Sequence, residues 1–372
     1  MPRPPDVIVI GAGIVGSAVA YELARRGASV DVLEARRAGM GATQASAGML
    51  APYVETRTAS PFLDLTLRSL SLFDEFIDRV ESDSGISIPY RRTGTLQVAS
   101  DEAGMQALES VARNVEAHEG VATRLDAKTV RAEEPHLAAG AVGGLVIPAH
   151  GFVAAGEVAR ALAVAARRHG AQFVEDSEVR SITPGAGELA VGTDRGSLSA
   201  SAVVLAAGSW SSQIEIAGVA DTLPVHPVRG QLLRLAWKGH GLRRTTWGDR
   251  CYLVPWDDGT LLVGATMEDV GFSEETTVAG VRGLLDAVCA LLPDAAKAGF
   301  VGARAGLRPA SADLLPIIGP SPACPNLMYA TAHYRSGVLL APLTGTLVAE
   351  AIVGGVIDAG LRPFGPGRFA DV

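Results

Sequence analysis

The sequence predicts an α/β chain, α+β overall, in which a parallel-sheet nucleotide-binding domain is interleaved with a domain built on a mixed, largely antiparallel sheet. Three observations carry that expectation. An apolar strand pattern near the N-terminus, "DVIVI", runs directly into a glycine turn and a helical pattern. Alternating apolar residues around "DDGT" in "CYLVPWDDGTLLVGATME" (251–268) read as an antiparallel hairpin. Near the C-terminus, "NLMYATAHYRSGVLLAPLTGTLVAEAIVGG" again reads strand, turn, helix, which returns the chain to the first domain after the hairpin.

Taken in order, the first strand meets Gly11-Ala12-Gly13-Ile14-Val15-Gly16, a helix follows over 14–26 and stops at Gly27, and "ASVDVLE" is a second strand ending in Glu34. A G-x-G-x-x-G alone is a weak signal. A preceding strand, a following helix and an acid about twenty residues on supply the context of a Rossmann-type dinucleotide fingerprint. The glycines let the backbone approach a pyrophosphate, the helix start offers N–H groups to it, and Glu34 accepts hydrogen bonds from ribose hydroxyls. Ala35 and Arg36 follow directly. A second small-residue loop, "GMGATQASAGML", holds Gly39, Gly41, Thr43, Ser46, Ala47, Gly48 and Met49. Its small residues admit a bulky ligand and its hydroxyls suit phosphate or ring oxygens.

Residues 61–80 have helical spacing, 91–99 read as a strand, 101–119 and 151–171 as helices, and "QFVEDSEVRSI" and "ASAVVLAAGSWSS" return the chain to the nucleotide domain. A strand over 223–235 begins a second visit to the other domain; after a helix ending before Pro293, the chain crosses back through "GARAGLRP". The expected division is 1–84, 146–220 and 310–372 for the nucleotide domain, and 85–145 and 221–309 for the substrate domain.

With 32 basic against 40 acidic residues, a net charge of −8 and no basic stripe, nucleic-acid binding is not expected. Cys251, Cys289 and Cys324 are odd in number and lack metal-ligand spacing, so we expect no metal site and a reducing compartment, the cytoplasm. Asp6, the spaced glycines and Glu22 argue against reading the N-terminus as a signal peptide. No apolar run reaches the length of a membrane span, so no stable membrane insertion is expected. Arg308, in "ARAGLRPASADLLPIIG", has no acid within four residues. An arginine among apolar residues needs an anionic partner, and Asp313 is the internal candidate. Arg335 has Glu350 or a backbone carbonyl as candidates.

The pattern E-x4-G-x-G-A-T-x-x-S-A-G from Glu34 resembles the amino-acid oxidase flavoproteins. With "CYLVPWDDGTLLVGATME" and "AGLRPASADLLPIIGP…HYRSGVLLAPLTG", the chain resembles, over nearly its full length, the bacterial glycine oxidases of thiamine biosynthesis within the D-amino-acid oxidase (DAO) family. The resemblance implies a glutathione-reductase/D-amino-acid-oxidase type fold with FAD as cofactor. It implies that Val179 touches adenine, that Ala207, Gly208 and Trp210 close over the cofactor, and that Tyr334, Arg335, Ser336, Gly337, Val338 and Leu339 meet the flavin. Ser336 stands where the family carries Asn. By position Arg308, also beside the flavin, binds the substrate carboxylate, Tyr252 hydrogen-bonds it, Met267 walls the pocket and Arg335 is a second active-site arginine. Relatives that attach flavin covalently do so through a cysteine near the Arg308 position; here the nearest is Cys324, which implies non-covalent FAD.

The implied reaction is oxidative deamination of glycine, small amines or D-amino acids. Hydride passes from Cα to flavin N5 without a protein base, the imine hydrolyses to oxo acid and ammonia, and O2 becomes H2O2. His226 and His333 are read as structural. A dehydrogenase of the same fold, passing electrons from D-amino acids or secondary amines to a quinone or carrier, is the alternative; a non-enzymatic flavoprotein is a third. The resemblance also implies a homo-oligomer, a tetramer being the common form among relatives.

Overall fold

The computed structural model describes residues 4–56, 58–218, 223–237 and 241–369. In chain order its α-helices are α1 (Ile14–Arg25), α2 (Pro52–Glu55), α3 (Pro61–Ser71), α4 (Phe73–Ser84), α5 (Glu102–Ala117), α6 (Ala127–Glu133), α7 (Ala155–Arg168), α8 (Val278–Leu291) and α9 (Gly337–Gly354). A six-stranded sheet runs in the order Ile317–Pro320, Leu327–Thr331, Ala202–Leu205, Val7–Ile10, Val30–Leu33, Gln172–Val174, parallel except for the first strand.

Val7–Ile10 is buried along its whole length because both faces of this sheet are covered. Val7, Val9, Val30 and Val32 pack on the helical layer of α1, α7 and α9. Ile8, Ile10 and Leu33 pack the opposite way, on Val179, Ile182, Leu189 and Val191 of a four-stranded sheet. The period-2 alternation of strand side chains thus divides one apolar run between two cores.

The other large sheet has eight strands, in the order Gly299–Ser311, Val225–Ala236, Thr260–Gly264, Tyr252–Pro255, Thr245–Trp247, Thr95–Ala99, Gly143–Ile147, Thr123–Asp126. Leu233, Leu235, Leu253, Leu261 and Val263 form its core with Leu284, Ala287 and Val288 of α8. The "DDGT" hairpin is present, with Tyr252 opposite Gly264.

Three elements differ from their expectation. The helix expected over 61–80 breaks at Leu72. The break lets α3 pack against α9 and α4 against α7, two surfaces that one straight helix cannot reach. The strand expected over 91–99 is divided before Thr95: Tyr90–Arg91 pairs with Gly151–Val153, and Thr95–Ala99 joins the eight-stranded sheet. Residues 151–153, expected in a helix, are therefore a strand, and α7 starts at Ala155.

The helix expected near the C-terminus is present as α9, but the expectation that no apolar run reaches the length of a membrane span does not hold for it. Its 18 residues, with mean hydropathy 1.7, have the length and composition of a membrane span. Here α9 packs on α1 and α3, with Leu340, Leu343 and Leu347 buried. The expected boundary at 220/221 and both chain ends lie outside the described residues.

Candidate active site

A cavity of about 530 Å³ lies where the two large sheets meet, lined by residues of the first helix start, the last helix start and the strand carrying Arg308. Its nucleotide end is built by adjacent stretches of chain. Gly13 is the N-cap of α1 and offers no side-chain acceptor, so the first turn opens on the cavity through Gly13, Ile14 and Val15. Thr43 Oγ1 accepts the Ile14 N–H at 3.1 Å and ties the second small-residue loop to that helix start. Glu34 accepts from Ala12 N at 2.7 Å and from Arg36 N at 2.9 Å, which fixes its carboxylate on the cavity wall.

Gly11 and Gly16 serve close packing: a Cβ on Gly11 would lie 2.5 Å from Ala206 O, and one on Gly16 would lie 1.9 Å from Gly11 O. Ala35, Arg36, Val179, Ala207, Gly208 and Trp210 line the same end. Arg36 stacks over Trp210 at 4.8 Å and pairs with Glu274 at 2.8 Å.

Ser46, Ala47, Gly48 and Met49 line the middle. The Ser46 hydroxyl accepts from Gly48 N, so it is engaged with its own loop. Gly48 has φ +73°, and a Cβ there would sit 1.7 Å from Val153 O, so this turn requires glycine.

The second helix start comes from α9, whose Gly337 and Val338 line the cavity. Its N-cap Ser336 makes no side-chain capping bond. The turn before it holds Ala332 at φ +57° and Tyr334 at φ +48°, a conformation that costs non-glycine residues about 1 kcal/mol or more each. The strain flanks His333, whose ring bonds Thr344 Oγ1 at 3.0 Å in the core. Burial pushes the His333 pKa down to about 3, so the ring is neutral. Ser336 and Leu339, expected at the flavin, are instead buried outside the cavity wall, because the helix turns them into the core.

At the substrate end Arg308 and Tyr252 each occupy a slot opened by a glycine. Gly230 is the diagonal neighbour of Arg308 across the strand pair, and a Cβ on it would sit 2.2 Å from the guanidinium. Gly264 lies directly opposite Tyr252, and a Cβ there would sit 2.2 Å from its ring. Arg308 Nη1 donates to Thr266 O at 3.1 Å. No ion pair to Arg308 exists among the described residues; Asp313, the internal candidate, pairs with Arg368 at 2.8 Å. Burial pushes the Tyr252 pKa up, opposed in part by Arg308, so the hydroxyl is a donor.

Among the described residues Arg335 pairs with neither Glu350 nor a carbonyl: its Nε meets Glu55 Oε2 at 3.0 Å. Glu350 lies 3.9 Å from Arg26. Burial raises the Glu55 pKa, with Arg335 and then Arg308 opposing that shift. Met267 is not a cavity wall. The residue is 70% exposed, and its sulfur accepts from the Tyr334 hydroxyl at 3.1 Å, outside the lining.

Sequence reasoning missed Glu55, Gly230 and Gly264. A single Glu in "APYVETR" has no spacing partner, and a glycine that makes room for a cross-strand side chain is indistinguishable from one in a bulge. None of Cys251, Cys289 or Cys324 lines the cavity, and no metal-binding cluster exists among the described residues.

A family model described as "FAD dependent oxidoreductase" (DAO) matches residues 6–351. The chain is 34% identical over 364 residues to a glycine oxidase of Geobacillus kaustophilus, covering 96% of each chain. It is also 34% identical to the bifunctional protein ThiO/ThiG of Synechocystis sp., covering 99% of this chain and 55% of that protein. The crystal structure of glycine oxidase from Geobacillus kaustophilus superposes with a TM-score of 0.95 at 33% identity, covering 99% of both chains. The cavity fits the cofactor of that family: a helix start without a side-chain cap reaches it from each of two sides, a fixed carboxylate stands on its wall, and no cysteine is present to bond a flavin. With FAD as its cofactor, the chain belongs to the DAO family of FAD-dependent oxidoreductases.

Proposed function

We propose that the protein is an FAD-dependent oxidase of glycine and small amines or D-amino acids. One observation carries this reading. Arg308 is held in a glycine slot beside the Tyr252 hydroxyl, in the same cavity as the dinucleotide cradle, with no carboxylate paired to it among the described residues. A guanidinium so placed grips a substrate carboxylate through two N–H groups, and Tyr252 adds an O–H donor. Each charge-assisted bond contributes roughly 1.5–3 kcal/mol. The Thr266 carbonyl keeps the guanidinium in register, and Gln231 holds Thr266 through a 2.8 Å bond from its N–H. Held by its carboxylate, the substrate presents its Cα–H to the cofactor, and much of the rate comes from that positioning.

FAD, when bound, would supply the two-electron acceptor for a hydride leaving Cα, with O2 as the final acceptor and H2O2 as its product. Gly11, Gly13, Ile14, Val15, Glu34, Ala35, Arg36, Thr43, Val179, Ala207, Gly208 and Trp210 would hold its nucleotide part, and Met49, Tyr334, Gly337 and Val338 would face the flavin. The positive end of α9 favours negative charge beside it. No protein base is needed when the amine enters neutral, and His333, neutral and bonded to Thr344, is not one. The imine then takes up water and releases ammonia and the oxo acid. The domain division 1–84, 146–220, 310–372 against 85–145, 221–309, and a reducing, cytoplasmic setting for three free cysteines, are part of the same reading.

The test is peroxide release in air from glycine, sarcosine, D-alanine and D-proline, with Arg308→Ala alongside. Rapid peroxide formation from at least one, weakened in a still-yellow variant, is expected. A protein that substrate bleaches but air reoxidises slowly would mark a dehydrogenase instead.

A further inference from the structure

Among the described residues, the substrate end holds two guanidinium groups and one carboxylate. Arg308 meets a backbone carbonyl, whereas Arg335 meets Glu55 at 3.0 Å. The Glu55 side chain is 11% exposed and stands on the cavity wall with Arg335. Two cations and one anion leave a single positive charge, which matches a substrate bearing one carboxylate and a neutral amine. A second carboxylate would meet an arginine already neutralised and the Glu55 carboxylate beside it, and repulsion in a partly desolvated site is strong.

We propose that Glu55 is a specificity-determining residue: by occupying Arg335 it limits the site to monocarboxylates, and without its charge Arg335 becomes a second carboxylate anchor. The inference rests on the reading of Arg308 as the first anchor. The alternative use of Glu55 is purely structural, tying α2 to the start of α9. That use makes no distinction between one carboxylate and two.

The test is binding rather than turnover. The FAD-loaded enzyme is titrated with acetate and with malonate, following the perturbation of flavin absorbance. In the parent, malonate binds no more tightly than acetate. In Glu55→Gln, which keeps a hydrogen-bond acceptor for Arg335 without the charge, the malonate-to-acetate affinity ratio rises roughly ten-fold or more, the range of a charge-assisted pair. In Glu55→Gln with Arg335→Met the gain disappears.

An unchanged ratio in a Glu55→Gln protein with normal FAD content overturns the proposal, as does a gain that survives loss of Arg335. Malonate binding more than ten-fold tighter than acetate in the parent overturns it whether or not the variants fold. Because ligand titration needs no oxidation, a protein that fails to oxidise glycine but shows the shifted ratio would sink the proposed reaction and leave this inference standing.

Discussion

At the nucleotide end of the cavity, Gly11, Gly13, Glu34 and Thr43 belong to one continuous run of strand, turn, helix, strand and loop, and the Glu34 and Thr43 side chains accept from the main-chain N–H groups of Ala12 and Ile14. At the substrate end, Glu55, Tyr252, Arg308 and Arg335 come from four separated segments and meet only because the eight-stranded sheet and the last helix start face each other. The first end uses main-chain N–H groups, close approach at glycines and side chains held by neighbours along the chain. The second uses charged and hydroxyl side chains fitted into space left by glycines on neighbouring strands. Cofactor retention and substrate affinity should therefore separate under mutation, and four changes test how cleanly.

The largest effect is expected from Arg308→Ala. Removal of two charge-assisted bonds, roughly 3–6 kcal/mol together, should raise the apparent KM by about two orders of magnitude or more while the protein stays yellow. Steady-state kinetics and the flavin spectrum report the two ends separately. Loss of FAD in this variant would show that the ends are not independent.

Gly11→Ala is the converse. Its Cβ would press on Ala206 O at 2.5 Å, at a backbone φ of +98°. A stability loss of about 2–4 kcal/mol with loss of bound FAD is expected, measured by denaturant midpoint and flavin content. A variant that retains FAD at parental stability would contradict the packing account. Gly230→Ala is smaller and acts at the other end. It displaces the Arg308 guanidinium and should raise KM roughly ten- to a hundred-fold without loss of colour.

The smallest effect is a pH dependence of stability at the turn joining the ends. Burial holds the folded-state pKa of His333 at about 3, below its ordinary value of 6.5. The unfolded chain therefore binds a proton that the folded chain refuses. The contribution is fully present above pH 6.5 and is lost as pH falls through the window toward 3, by about 2 kcal/mol at pH 5. Unfolding midpoints should fall less between pH 7 and 5 in His333→Gln than in the parent. Equal slopes would mean that the ring titrates normally.

Legibility in the sequence follows the same division. The strand–glycine–helix–acid run needs only neighbours along the chain, so Gly11, Gly13 and Glu34 were legible from spacing. Arg308 was legible as an arginine lacking a nearby acid, and its position as an anchor came through resemblance. The partner of Arg335 was not legible, because Glu55 and Arg335 lie at opposite ends of the chain and nothing local links them. Met267 shows the limit of positional matching: it lies next to Thr266, whose carbonyl touches Arg308, yet its own side chain points out to Tyr334 and solvent. Leu72 shows another limit: helical periodicity continues through it, and only the separate surfaces of α7 and α9 break the helix.

The amino-acid sequence alone determined the dinucleotide cradle, the antiparallel hairpin and the return of the last helix to the first sheet, because glycine turns, period-2 alternation and helix starts are local consequences of backbone geometry. Tertiary structure alone decided which charges face one another. Glu55 meets Arg335, Arg368 takes Asp313, and Arg308 has no carboxylate partner among the described residues. Pairing of buried charges depends on distance in space and on exclusion of water, and neither is encoded in separation along the chain.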